Sequence, residues 1–234
     1  MGEGGAHLFV YDDAVFKVAS DAMVPKRGSI LLARHMGVRP TDAVLDLGTG
    51  VGFLAILAAR TARRVVATDV LPESIGCARA NALLNGLETK LDLRVGAMYA
   101  PVTGAAFDLI LANLPQMPVP PGREGIKDPR LLADDGGPDG WGLLDQVIQG
   151  APDYLSPGGR LLFTCFAFLG IRRALAKVKA AGLKGSVVGN ELHPFPRVGL
   201  ERLYYIRSLD DEGTIREEGG RLTIERLVVG AAKP

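Results

Sequence analysis

Two acids, three glycines and an asparagine–proline turn are the residues of this chain whose types and spacing suit chemistry. The segment Val44-Leu45-Asp46-Leu47-Gly48-Thr49-Gly50-Val51-Gly52-Phe53 sets an acid two residues before the first of three alternating glycines. Glycines between a strand and a helix let a ligand approach the backbone closely. A dinucleotide fingerprint, G-x-G-x-x-G/A, would need Gly or Ala at Phe53, so that pattern fails. The acid repels a pyrophosphate and suits a ligand carrying an ammonium group. A second acid, Asp69, follows the β-branched run 64–68, 23 residues after Asp46. An acid at that strand end can accept hydrogen bonds from two ribose hydroxyls. It can equally cap the next helix.

With these residues the sequence resembles the class I methyltransferases that use S-adenosyl-L-methionine. The resemblance implies that Asp46 and the loop Gly48, Thr49, Gly50 and Gly52 hold the methionine end of that cofactor. It places Asp69 on the ribose and Val70 against adenine. Ala97 lies where many such enzymes carry an Asp on the adenine amine. Alanine cannot make that bond, so a backbone group or packing must serve.

Asn113-Leu114-Pro115-Gln116 resembles the N-P-P-Y motif of methyltransferases acting on planar amide or amine nitrogens. By that resemblance Asn113 supplies its side-chain oxygen and Leu114 its backbone carbonyl to the acceptor's N–H groups. Pro115 stiffens the turn. Positioning and electrostatic stabilisation then carry the catalysis, without a side-chain nucleophile. Gln116 stands where an aromatic residue usually packs on the flat acceptor, and is expected to offer a polar acceptor a hydrogen bond. Residues 128–140, D-P-R-L-L-A-D-D-G-G-P-D-G, resemble a segment of the glutamine methyltransferases that modify release factors. There Asp139 is expected to cap the following helix. Pro25-Lys26-Arg27-Gly28-Ser29-Ile30-Leu31-Leu32 faintly resembles a P-R-P-x-T-E-x-L segment of those enzymes, without its glutamate. No metal is implied by this chemistry.

These residues need a frame of strands and helices. Strand-like runs at 43–47, 64–68, 91–95, 107–112 and 160–166 alternate with helix-like runs at 52–60, 72–85, 141–154 and 171–181. Such alternation predicts an α/β fold, a Rossmann-like doubly wound sheet that is mostly parallel. Runs at 185–189, 200–207 and 221–230 read as strands, so the sheet is expected to finish with antiparallel C-terminal strands. Gly86 is a plausible helix C-cap. The chain is read as one methyltransferase domain over 1–234, with 1–28 a short lead-in and 29–234 the core.

Composition narrows the classes. Gly and Pro together make 45 of 234 residues, about 19%, below the roughly 25–30% of low-complexity chains, so the glycines are placed. Net charge is +1, with 11 basic and 11 acidic side chains in residues 1–120 and 16 and 15 in 121–234. Neither half carries the basic footprint of a nucleic-acid binder. Cys77 and Cys165 form no C-x-x-C pair, and His7, His35 and His193 show no ligand spacing. The longest apolar run, 51–59, is too short to span a bilayer, and residues 1–6 lack a signal-peptide pattern. The reading is a soluble cytoplasmic enzyme with no membrane partner. Neutral charge and Gln116 favour a protein or small-molecule acceptor over a nucleic acid. A nucleic-acid enzyme of the same family predicts a basic face from Arg123, Lys127, Arg130 and Arg197. A nicotinamide-dependent oxidoreductase and an inactive cofactor-binding scaffold complete the alternatives.

Overall fold

The computed structural model describes residues 6–19, 25–122 and 134–234. Its centre is a sheet with spatial order β5-β4-β3-β6-β7-β10-β8. The strands are β3 (Ala43–Leu47), β4 (Arg64–Asp69), β5 (Leu91–Val95), β6 (Phe107–Ala112), β7 (Leu155–Phe166), β8 (Lys184–Pro194) and β10 (Arg221–Ala232), and a short β9 (Arg216–Glu218) pairs with β10. The ladders from β5 through β7 are parallel, whereas β10 runs antiparallel to both β7 and β8. All five residues of β3 are buried, as a parallel strand covered on both faces requires.

The side chains of β3 and β6 alternate between two cores. Leu45, Leu47, Ile110 and Ala112 pack with α4 (Gly142–Tyr154) and α5 (Ile171–Ala180) on one face. Val44, Leu109 and Leu111 pack with α1 (Arg27–His35) and α2 (Phe53–Ala59) on the other. α3 (Pro72–Leu84) ends where Gly86 takes φ +65°. The Gly86 N–H then reaches the Leu83 carbonyl and the Leu87 N–H the Ala82 carbonyl, satisfying acceptors of the last helical turn.

Residues 200–207 are not a strand. After a short turn α6 (Arg197–Leu200) they enter a helix, α7 (Leu203–Leu209). Leu200, Leu203 and Ile206 recur every three residues, a helical spacing, and Ile206 alone of these is fully buried. The antiparallel end is therefore built by β8 and β10, each longer than its apolar run, with the two helices between them. β7 also starts earlier than 160. It runs through Gly158 and Gly159 with a register shift against β6.

The lead-in holds an antiparallel hairpin, β1 (Ala6–Tyr11) and β2 (Ala14–Ala19). Phe16 and Val18 are buried beside Phe53. Two carboxamides from α3 act as a strand substitute for β2. Asn85 bonds the N–H and carbonyl of Val15, and Asn81 those of Lys17. Asn81 also donates to the Val51 carbonyl inside the glycine turn, at 2.9 Å. The hairpin is thereby tied to the turn after β3. Asn81→Ala removes three hydrogen bonds, one buried and two partly buried, at about 1 kcal/mol each. Urea denaturation is expected to show a loss of about 2–3 kcal/mol; an unchanged midpoint would refute the tie.

Candidate active site

The C-terminal ends of β3, β4 and β6 meet where the strand order reverses, the place where open α/β sheets gather ligands. The turn after β3 needs its glycines. Gly48, Gly50 and Gly52 have φ of +68°, +56° and +86°. The N–H groups of Gly48 and Thr49 both donate to the Thr68 carbonyl at the end of β4. A Cβ on Gly48 would stand 2.3 Å from Leu114 Cδ2, so the glycine turn and the loop after β6 are in direct contact.

Asp46 lies beneath this turn, 1% exposed. Thr49 Oγ1 donates to its Oδ2 at 2.7 Å, and its Oδ1 has no partner. Burial pushes the carboxyl up to about 7, the Thr49 hydroxyl and the Ala55 N–H pull it down, and nearby Asp69 adds to the rise. A buried carboxylate oxygen without a donor costs free energy, and an ammonium group would both supply the donor and neutralise the charge. Asp69 does two local tasks. Its Oδ2 accepts from the Gly50 N–H at 2.9 Å and its Oδ1 from the Leu71 N–H at 3.0 Å. Each oxygen keeps a second lone pair. Beyond it Val70, Leu71 and Val95 are exposed by 62%, 49% and 51%, and Ala97 is exposed as well. Apolar side chains this exposed on adjacent strand ends offer a face for a flat ring.

After β6, Asn113 is half-buried and held at both ends of its carboxamide. Nδ2 donates to Ser29 Oγ of α1 at 2.8 Å. Oδ1 accepts from Thr164 Oγ1 of β7 at 2.6 Å and from the Arg226 guanidinium of β10 at 3.0 Å. Arg226 also donates to Thr164 Oγ1 at 2.8 Å, and its guanidinium carbon lies 3.7 Å from the centre of the Phe166 ring. The Leu114 carbonyl accepts no hydrogen bond among the described residues. Pro115 is half-buried.

Gln116 departs from expectation. It is 2% exposed, its Nε2 donates to the Thr164 carbonyl and hydroxyl, and its Oε1 accepts from the Phe166 N–H. Its amide is buried and committed to β7, with both N–H groups used there.

The Gly136–Gly140 turn closes over this loop. Gly136 and Met117 exchange hydrogen bonds with the chain opposite, and a Cβ on Gly136 would fall 2.6 Å from the Gln116 backbone. Asp139 Oδ1 accepts from the Trp141 N–H, and its other oxygen bonds Arg173. Partial burial would raise its carboxyl, but these donors hold it below the usual range. Asp134 pairs with Lys26 at 2.7 Å and Asp135 accepts from the Gly137 N–H. Arg123, Lys127, Arg130 and the segment 128–133 lie outside the described residues; Arg197 is exposed at the start of α6.

Sequence reasoning did not connect Ser29, Thr164 or Arg226 with Asn113. Each sits on a different element, and no local spacing connects them. One signal was present. Arg226 shares the strand face of Leu222, Ile224 and Val228, where an unaccompanied charge is out of place.

The chain matches the methyltransferase small domain family over residues 11–181. It is 36% identical over 175 residues to a release factor glutamine methyltransferase of Cereibacter sphaeroides, covering 72% of this chain and 62% of that protein. It is 31% identical over 180 residues to a putative protein N5-glutamine methyltransferase of Methanocaldococcus jannaschii, covering 76% of this chain and 89% of the relative. In fold it resembles the E. cuniculi Mtq2–Trm112 complex structure, with a TM-score of 0.60, 16% identity, and coverage of 92% of this chain and 99% of that one.

Proposed function

This chain belongs to the methyltransferase small domain family, and from that premise we propose that it transfers a methyl group from S-adenosyl-L-methionine to the side-chain amide nitrogen of a glutamine in a protein acceptor. The observation that carries this reading is the contact between Gly48 and Leu114. It sets the glycine turn suited to the donor directly against the turn suited to the acceptor.

The cofactor, when bound, supplies a methyl group already activated on a sulfonium. The residues present fit it. Asp46 Oδ1 takes the ammonium, the turn 48–52 admits the methionine chain, and the free lone pairs of Asp69 take the ribose hydroxyls. Val70, Leu71, Val95 and Ala97 flank adenine by packing. The acceptor amide has two N–H groups to place. The Leu114 carbonyl takes one. Asn113 Oδ1 takes the other when the Thr164 hydroxyl rotates away, and Pro115 keeps the turn rigid. Two groups fixed by the fold would thus hold and orient a weak nucleophile for the methyl group that the cofactor supplies.

The relatives' names point to release factors and ribosomal protein uL3 as acceptors to try first. Incubation of each with methyl-labelled cofactor and this enzyme is expected to label one of them on a glutamine, located by peptide mass spectrometry. Label on neither protein, with label on RNA instead, would overturn the reading.

A further inference from the structure

Arg226 is a buried cation that no acid among the described residues neutralises. It is 7% exposed, and no carboxylate among the described residues lies within ion-pair distance. The acids near it are engaged elsewhere. Asp134 pairs with Lys26, Glu191 with Arg34 at 3.1 Å, and Glu225 with Arg216. Cys165 on the neighbouring strand is pushed up to about 12 by burial and stays a neutral thiol. Arg226 is itself pushed down only to about 10, so it remains charged at neutral pH. Its Nε has no partner, one face lies on Phe166, and Gly28 leaves room for it: a Cβ there would come within 3.2 Å of the guanidinium. A lone buried charge is expensive and is tolerated where it serves a site.

We propose that Arg226 is a specificity-determining residue of the acceptor site: its guanidinium fixes the Asn113 carboxamide, and its charge excludes protonated amines while admitting neutral carboxamides. This inference rests on the acceptor site assigned above. Arg226 Nη2 is 3.0 Å from Asn113 Oδ1. An acceptor nitrogen bonded to the same oxygen lies about 3 Å from it, hence within roughly 6 Å of the guanidinium. Two like charges at that distance, in surroundings of effective dielectric about 20, disfavour binding by roughly 100-fold. A carboxamide bears no charge and pays none of this. The hydrogen bonds to Arg226 and Thr164 also settle which end of Asn113 is oxygen, because both partners are donors there.

The test needs no methyl transfer. Propionamide and propylammonium are titrated into the isotope-labelled, cofactor-free protein, and the Asn113 side-chain amide resonance is followed by NMR. The wild type and Arg226→Lys, which keeps the charge, are expected to bind the amide at least 30-fold more tightly. Arg226→Gln, which keeps a donor but not the charge, is expected to bring the two affinities within about threefold and to leave the Asn113 resonance close to its wild-type position. Equal affinities in the wild type, or a preference that survives in Arg226→Gln, would overturn the proposal. A failure of the labelled-methyl assay with this preference intact would defeat the glutamine reading alone.

Discussion

Asp46→Asn is expected to weaken S-adenosyl-L-methionine binding by at least 100-fold while making the cofactor-free protein more stable above pH 7. The two effects have one cause. Burial raises the folded-state pKa of Asp46 to about 7, from the 3.8 of a free carboxyl. The folded state therefore holds its proton more tightly than the unfolded state does. Folding is favoured as pH falls from 7 toward 4 and opposed as pH rises through the same window. Three pK units at about 1.4 kcal/mol each set an upper estimate of about 4 kcal/mol for the cost at pH 8. Asparagine is neutral at every pH and removes that cost. The ligand's ammonium group offsets the same cost by charge pairing, so its affinity is expected to rise about tenfold between pH 6 and pH 8. Calorimetry in two buffers of different ionisation enthalpy at pH 6 should detect proton release on binding. Denaturation of wild type and Asp46→Asn at pH 5 and pH 8 should show a clearly larger gain in stability for the variant at pH 8 than at pH 5. Unchanged affinity in the variant would remove Asp46 from the cofactor site.

The second large effect is expected at Asn113. Asn113→Ala should lower turnover by about 10³-fold, near 4 kcal/mol of transition-state stabilisation, with cofactor affinity within a factor of two of wild type. The substitution also strips an acceptor from Arg226 and Thr164, whose bonds to Oδ1 are 3.0 Å and 2.6 Å. Stability should fall by about 1–3 kcal/mol, so activity must be compared at a temperature where both proteins are folded. Asn113→Asp separates the two roles. A carboxylate there pairs with Arg226 and is expected to preserve or raise stability, yet turnover should remain lost because Arg226 is then neutralised and holds the side chain to itself. Activity retained in both variants would show that the acceptor is held by other groups.

Much of the frame was legible along the chain. The central parallel strands β3 and β4 carry nearly continuous apolar runs, and glycine and proline punctuate the ends of the helices beside them, signals that act within a few residues. Asp46, Gly48, Gly50, Gly52 and Asp69 could be singled out along the chain because each lies at or just beyond the carboxyl end of a strand, where the local backbone decides what the side chain faces. The misreadings arose where local pattern was ambiguous. Residues 200–207 mix apolar and charged types at a spacing that serves a short helix. Gln116 read as a site residue from its place beside Asn113 and Pro115, while its amide is used inside the fold.

By itself the sequence determined the class of the fold, the glycine turn with its acid and the turn that follows β6, because these depend on neighbours a few positions apart. Tertiary structure alone decided that Asp46 is left with an unpaired oxygen, that Leu114 abuts Gly48 and that Arg226 grips Asn113. Those contacts join residues 66 positions apart between Gly48 and Leu114 and 113 between Asn113 and Arg226. No local rule reaches so far. They exist because the parallel ladder of β3, β4 and β6 aligns their carboxyl ends, and because β10 inserts antiparallel beside β7 and carries one buried charge to the turn after β6.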